Sequence, residues 1–260
     1  MGLNLVQRFI FKEAEDCFRK AKINREDDYK YYCVIAQAVQ GQGRLDEALE
    51  IYQKALMINP EYYFTHYHLG TLYEHLEKFK EAEDCYYKVI ELHPKDGDYY
   101  FYLAKLLEKQ GKDKEAEEIF KKAIEYLPEN TDMKIGEFHN LLAKCLDRLG
   151  KVQEAEKSFI KAIEENPEVS EFHMDLAKLL NKQLGRDKEA EESYRKAIEN
   201  LPKNIDIKLL GDYYICLAKC LEKQGRLNDA EDYYKKAIET NPKNNEYYNN
   251  LANLLKSKEK

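Results

Sequence analysis

The sequence predicts an all-α solenoid of antiparallel helix pairs. Three observations carry that reading. The six prolines, Pro60, Pro94, Pro128, Pro167, Pro202 and Pro242, follow one another at intervals of 34, 34, 39, 35 and 40 residues, a period that marks a repeat array. A fixed set of residues precedes each proline: alanine twelve positions before, an aromatic eight before, and alanine or valine five before. Between these landmarks apolar residues recur at helical spacing.

The elements follow in order. Near the start, FKEAEDCFRKAK carries Ala14 and Phe18 at the small and aromatic positions of a second helix, so residues 1–28 read as a half-unit. Six full units follow, at 29–62, 63–96, 97–130, 136–169, 170–204 and 211–244. The third shows the logic. Tyr100, Leu103, Ala104 and Leu107 form one face of a first helix, which Gly111 ends; glycine commonly stands just past a last turn. Ala116, Ile119, Phe120, Ala123 and Ile124 form the inward face of a second helix, stopped at Pro128. Proline lacks the N–H and crowds the preceding turn. Small alanines let the two helices approach closely, and the aromatics fill the wider gaps.

Three departures break the period. TDMKI (131–135) and IDIKLL (205–210) are inserted between units, and the fifth unit has one extra residue in its turn, NKQLG. Each insert is expected to extend a helix or loosen a turn. At 245–260 a lone first helix, with Tyr248, Leu251, Ala252 and Leu255 facing inward and asparagines outward, reads as a solvating cap. Ordering a residue costs about 1–2 kcal/mol in backbone entropy, which one helix pair does not recover. Residues 1–260 are therefore expected to act as one domain.

These residues resemble the tetratricopeptide repeat (TPR) family, whose 34-residue pattern wants a large residue at position 4, leucine at 7, a small residue at 8, a large apolar residue at 11, alanine at 20, an aromatic at 24, alanine at 27 and proline at 32. The first full unit matches with Tyr32, Ile35, Ala36, Val39, Ala48, Tyr52, Ala55 and Pro60. The last matches with Tyr214, Leu217, Ala218, Leu221, Ala230, Tyr234, Ala237 and Pro242. The resemblance implies a right-handed superhelix whose first helices line a concave groove. It also implies a non-catalytic scaffold that binds a peptide or helical segment of another protein.

Groove positions carried over from that resemblance are Phe64, Tyr67, His68, Thr71, Phe101, Tyr102 and Lys105 in the second and third units, and Asn140, Lys144, Lys178 and Lys219 in the later ones. Partly exposed aromatics on a groove are typical anchors. The lysines at position 9 read either as a ladder for a partner's carboxylates or as a self-neutralising row beside Asp98, Glu137, Glu171 and Asp212. TPR adaptors that grip chaperone C-terminal tails need a Lys/Asn/Arg clamp. Here Asn140 and Lys144 are in swapped order, Asp175 stands where asparagine is needed, and Asp212 and Cys216 where bases are needed. A chaperone tail is not the expected partner.

Composition narrows the rest. The 260 residues carry 49 acids against 42 bases, a net charge of −7, which argues against a general nucleic-acid or acidic-membrane binder. No apolar run is long enough to span a membrane. The six cysteines show no Cys-x-x-Cys spacing and suit a reducing compartment, so a cytoplasmic location is expected, organellar or ciliary assemblies standing beside it. No phosphate-binding, nucleophile-elbow or zinc-protease motif occurs, and neither cofactor nor metal is expected. Cys216 and Cys220 share a helical face without a third ligand nearby. His66, His139 and His173 fall at the core-facing position 4. Tyrosine pairs such as 62–63 and 99–100 read as packing rather than as a base-stacking platform. RNA binding, and a constitutive place in a large assembly, are the alternatives to a peptide-binding scaffold.

Overall fold

The computed structural model describes residues 11–13, 15–17, 20, 28–127, 135–203 and 205–258. Ala14, Phe18, Pro128 and residues 131–134 of the first insert lie outside these. Among the described residues the regular structure is entirely helical. The chain divides into two compact units, residues 1–129 and 130–260.

Among its described residues the first unit holds helical residues between 11 and 20 and then three helix pairs: α1 (Tyr29–Gly41) with α2 (Leu45–Ile58), α3 (Tyr63–His75) with α4 (Phe79–Leu92), and α5 (Gly97–Lys109) with α6 (Asp113–Glu125). The second holds α7 (Ile135–Arg148) with α8 (Val152–Glu165), α9 (Ser170–Leu179) with α10 (Asp187–Glu199), α11 (Ile207–Lys223) with α12 (Leu227–Thr240), and the lone α13 (Asn245–Lys258).

The landmark residues build the core. Ala48, Ala82, Ala116, Ala155, Ala190 and Ala230 are fully buried, and so are the small residues five before each proline. Tyr52, Tyr86, Phe120, Phe159, Tyr194 and Tyr234 fill the space between. In three of the four units where this aromatic is tyrosine, its hydroxyl donates to an acceptor twelve residues back: Tyr52 to Gln40 (3.0 Å), Tyr86 to Glu74 (2.5 Å) and Tyr234 to Glu222 (2.8 Å); twelve residues before Tyr194 stands Lys182, which cannot accept. A buried hydroxyl needs such a partner.

Position 4 has its own polar duty. Tyr100 donates to the Pro94 carbonyl at 2.9 Å, and the His66 and His173 rings meet the Pro60 and Pro167 carbonyls at 2.7 Å. At these three junctions the proline that ends one unit has its carbonyl satisfied by the next, which accounts for His66 and His173 without chemistry.

Turns within pairs are made by Gly43, Gly111, Gly150, Gly185 and Gly225, all at positive φ of 62° to 83°. The second pair uses Glu77 instead, at φ 57°. Behind the turns a basic residue reaches back to an acid of the preceding second helix. Lys112 meets Glu83 at 2.7 Å, Arg226 meets Glu191 at 2.8 Å, and Arg186 meets Glu156. These rungs were not anticipated from the sequence, because their partners lie about thirty residues apart.

The departures resolve physically. The extra residue of the fifth unit is absorbed as a π-helical turn, Leu180–Leu184, closing α9 before Gly185; one inserted residue in a helix commonly takes this form. The second insert extends α11 to 17 residues, capped by Asp206, whose side chain accepts from the Lys208 N–H at 2.9 Å.

One expectation is overturned. In α13 the buried residues are Tyr247 and Leu254, while Tyr248 and Leu255 are 45% and 42% exposed and Ala252 is exposed. Positions 4, 7, 8 and 11 face the second helix of their own pair, and α13 is the last helix among the described residues. Its inward face is therefore the adjacent stripe, where the Tyr247 hydroxyl donates to Asp212 at 2.7 Å.

Candidate functional site

In the first unit the sequence-derived groove residues gather into one aromatic surface. α3 supplies Phe64, Tyr67 and His68; α5 supplies Tyr102. Phe64 meets His68 edge-on at 4.4 Å between ring centres, Tyr67 meets His68 at 4.9 Å, and Tyr67 meets Tyr102 at 4.9 Å. Such edge and tilted pairs suit the ring quadrupole. Thr71 lies one turn further along α3, its hydroxyl donating to the His68 carbonyl at 2.8 Å.

All four rings are partly exposed. The surface is underpinned by Tyr86, which stacks on Tyr102, and flanked by Tyr99 and Tyr63. These three were not among the expected groove residues; the Tyr-Tyr pairs were the available signal, and Tyr63 and Tyr99 join the surface while Tyr86 supports it from the core.

Electrostatics keep this surface neutral. Burial lowers His68 to about 4 from its ordinary 6.5, so the ring is an uncharged aromatic at neutral pH. Burial, and next a hydrogen bond with Tyr102, push the Tyr67 hydroxyl well above the usual tyrosine range. Phe101 departs from expectation: it is only 7% exposed and packs on Phe120. Lys105 is exposed, with its ammonium 5.1 Å from the centre of the Phe101 ring.

The groove positions of the second unit are ionic. Lys144 pairs with Glu171 at 2.7 Å and Asp175 at 2.9 Å. Asn140 is buried and its amide donates to Asp175 at 3.3 Å. Lys178 reaches Asp175 only at 3.4 Å. Lys219 is exposed near Cys216, whose thiol is pushed up by burial against the opposing pull of Lys178 and Lys219. At Lys144, then, the row neutralises itself.

Position 5 explains both misplacements. Phe101, Asn140, Met174 and Ile215 all stand there and all are buried; Tyr67 is the partly exposed exception. That position packs into the wall between helices, whereas positions 2, 6 and 9 face outward.

Cys220 is buried and its thiol donates to the Asp187 carbonyl at 3.3 Å, a packing role. Among the described residues no three His, Cys, Asp or Glu side chains cluster as a metal site. No helix among them is long and apolar enough to cross a membrane.

Helix pairs with these landmarks define a helical-repeat protein. Models described as tetratricopeptide repeat match residues 63–96 and 211–244, 140–205, and 85–118, and one described as TPR repeat matches 41–77. The chain belongs to the tetratricopeptide repeat family, whose members generally serve protein–protein interaction. No curated protein matches it.

Solved structures agree on the fold. YrrB, described as a TPR protein with an unusual peptide-binding site, is 26% identical at a TM-score of 0.60, over 74% of this chain and 95% of that one. The C-terminal part of a TPR repeat-containing protein from Cytophaga hutchinsonii is 17% identical at 0.75, over 95% and 98%. PilF of Pseudomonas aeruginosa is 17% identical at 0.66, over 94% and 99%.

Proposed function

We propose that this protein is a non-catalytic scaffold that binds a segment of a partner protein on the aromatic surface of α3 and α5. The observation that carries the reading is the joining of Phe64, Tyr67, His68 and Tyr102 into one partly exposed, uncharged ring cluster. Aromatic side chains give large contact area at low entropic cost and dominate binding hot spots. The peptide-binding site described for YrrB supports the same use of the fold. The chaperone-tail reading stays disfavoured, because the clamp positions carry Asp175 and Asp212. RNA binding has less support, since the aromatic surface is not flanked by a basic excess and the chain carries net charge −7.

The test is affinity purification with mass spectrometry, wild type against the Tyr67→Ala/Tyr102→Ala double variant. The expected outcome is loss of the specific partners, with helical circular dichroism retained. Retention of every partner by the double variant would remove the aromatic surface from the binding site.

A further inference from the structure

The two places where the fifth repeat leaves the 34-residue period each border a cleft. One cleft, of about 340 Å³, lies beside the π-helical turn; Lys144, Lys178 and Lys182 line it together with Asp147 and Asp175, over Phe159 and Tyr194. The other, of about 580 Å³, lies beside the second insert; Ile205 and Leu209 come from the insert, Met174 and Tyr213 complete its apolar wall, and Glu168 and Glu171 line its opposite, acidic part, away from Lys182 of the smaller cleft. Lys144, Asp175 and Lys178 belong to both clefts, so the two meet along α9.

Charge separates what is used from what is on offer. Asp175 already holds Lys144 at 2.9 Å and the Asn140 amide at 3.3 Å, and Lys144 also holds Glu171. Lys178 is 55% exposed and meets Asp175 only at 3.4 Å, longer than a charge-assisted bond between well-placed partners. Lys182, four residues further along, is exposed on the same cleft. Leu209 is 43% exposed although it is a leucine on the rim of an apolar cleft.

We infer that the two clefts form one peptide-binding site, for a partner segment that carries a bulky apolar side chain within a residue or two of an internal Asp or Glu. The apolar side chain enters between Leu209, Met174 and Tyr213. The carboxylate meets the ammonium groups of Lys178 and Lys182. Burying one leucine-sized side chain contributes about 1.5–3 kcal/mol, and the charged pairs set register and orientation more than affinity. This site is separate in chemistry from the aromatic surface and stands whether or not that surface binds anything. The repeat irregularities are thereby given a purpose: the π-turn carries Lys182 to the smaller cleft, and the insert supplies an apolar rim to the larger.

The experiment is selection of a displayed random dodecapeptide library on the whole protein. One enriched peptide, amidated at its C-terminus, is then measured by fluorescence anisotropy against variants. Enrichment of Leu, Ile, Phe or Met beside Asp or Glu is expected. So is at least tenfold weaker binding to Leu209→Ser and to Lys178→Glu, with unchanged binding to Tyr67→Ala/Tyr102→Ala. Both side chains in question are largely exposed, and circular dichroism checks each fold; Lys182→Glu serves if Lys178→Glu is unfolded. Absence of enriched peptides, a motif without the acid, dependence on a free C-terminal carboxylate, or binding indifferent to Leu209 and the lysines would each overturn the inference. Binding lost in the tyrosine variant instead would overturn it in favour of the aromatic surface.

Discussion

The first unit keeps a strict period and carries rings on its first helices; the second holds all three departures from the period and carries charges. Beneath that difference the two cores are alike. Tyr86 of the first unit and Tyr234 of the second are both fully buried, flanked by alanine or valine at the same spacings, and both donate to a glutamate twelve residues back. Core positions are constrained from both helices of a pair, so they tolerate little change. Outward positions 2, 6 and 9 are constrained by nothing inside the repeat. Function therefore diverges there without cost to the fold.

The largest effect expected from this comparison is on stability. Tyr86→Ala and Tyr234→Ala should each cost about 3–5 kcal/mol, the range for deleting a buried aromatic. Denaturant titration followed by circular dichroism measures both. Equal losses sharpen the view that the units share one core. A loss below about 1 kcal/mol in either would break it, since that ring would then be dispensable to its own pair.

A smaller effect comes from two histidines shielded from water, one in each unit. Burial holds His68 at about 4, and burial followed by repulsion from Lys161 holds His139 at about 4. Unfolded, both take up a proton near pH 6.5. Between those values the unfolded chain binds more protons than the folded one, so stability is fully present above pH 6.5 and falls as pH drops towards 4. The loss should be about 1–2 kcal/mol per histidine, allowing for partial exposure. Thermal melts at pH 7 and 4.5 check it. His68→Phe should remove one share of the slope and His139→Phe the other; a slope untouched by both would assign the acid sensitivity elsewhere.

How much of this was legible in the sequence depends on the range of the interactions. The helix pairs, their glycine turns and the identity of every core aromatic follow from a period that each unit restates. The aromatic surface was legible for Phe64, Tyr67, His68 and Tyr102 because repeat position sets direction. Phe101 and Asn140 were misjudged because position 5 points into the wall between helices, a distinction of a few tens of degrees that spacing does not resolve. The basic rungs such as Lys112–Glu83, and the meeting of Leu209 with Met174 and Tyr213, join residues of different units. No local pattern announces them. The π-turn was visible only as a surplus residue, since a count of residues does not say which helix absorbs it. The cap at α13 was misassigned by one stripe, because the pattern of positions 4, 7, 8 and 11 presupposes a second helix.

The smallest effect concerns the single irregularity of the regular unit. Five of the six turns within pairs place glycine at positive φ, and Glu77 alone is a residue with a side chain there, at φ 57°. The left-handed region costs an L-residue about 1–2 kcal/mol. Replacing Glu77 by glycine removes that strain but gives the unfolded chain more freedom, worth about 0.5–1 kcal/mol. Glu77 is exposed, and its N–H donates to the Glu74 carbonyl at 3.1 Å, a bond glycine would keep, so the two terms decide the sign. Glu77→Gly should stabilise the protein by about 0.5 kcal/mol. The reciprocal Gly225→Ala, at φ 75° with open space where its Cβ would sit, should destabilise by a similar amount. Paired thermal melts of these variants read both directions. A loss on Glu77→Gly would mean that the side chain at this turn contributes something the glycine turns lack, and the first unit would then be irregular for a reason, as the second is.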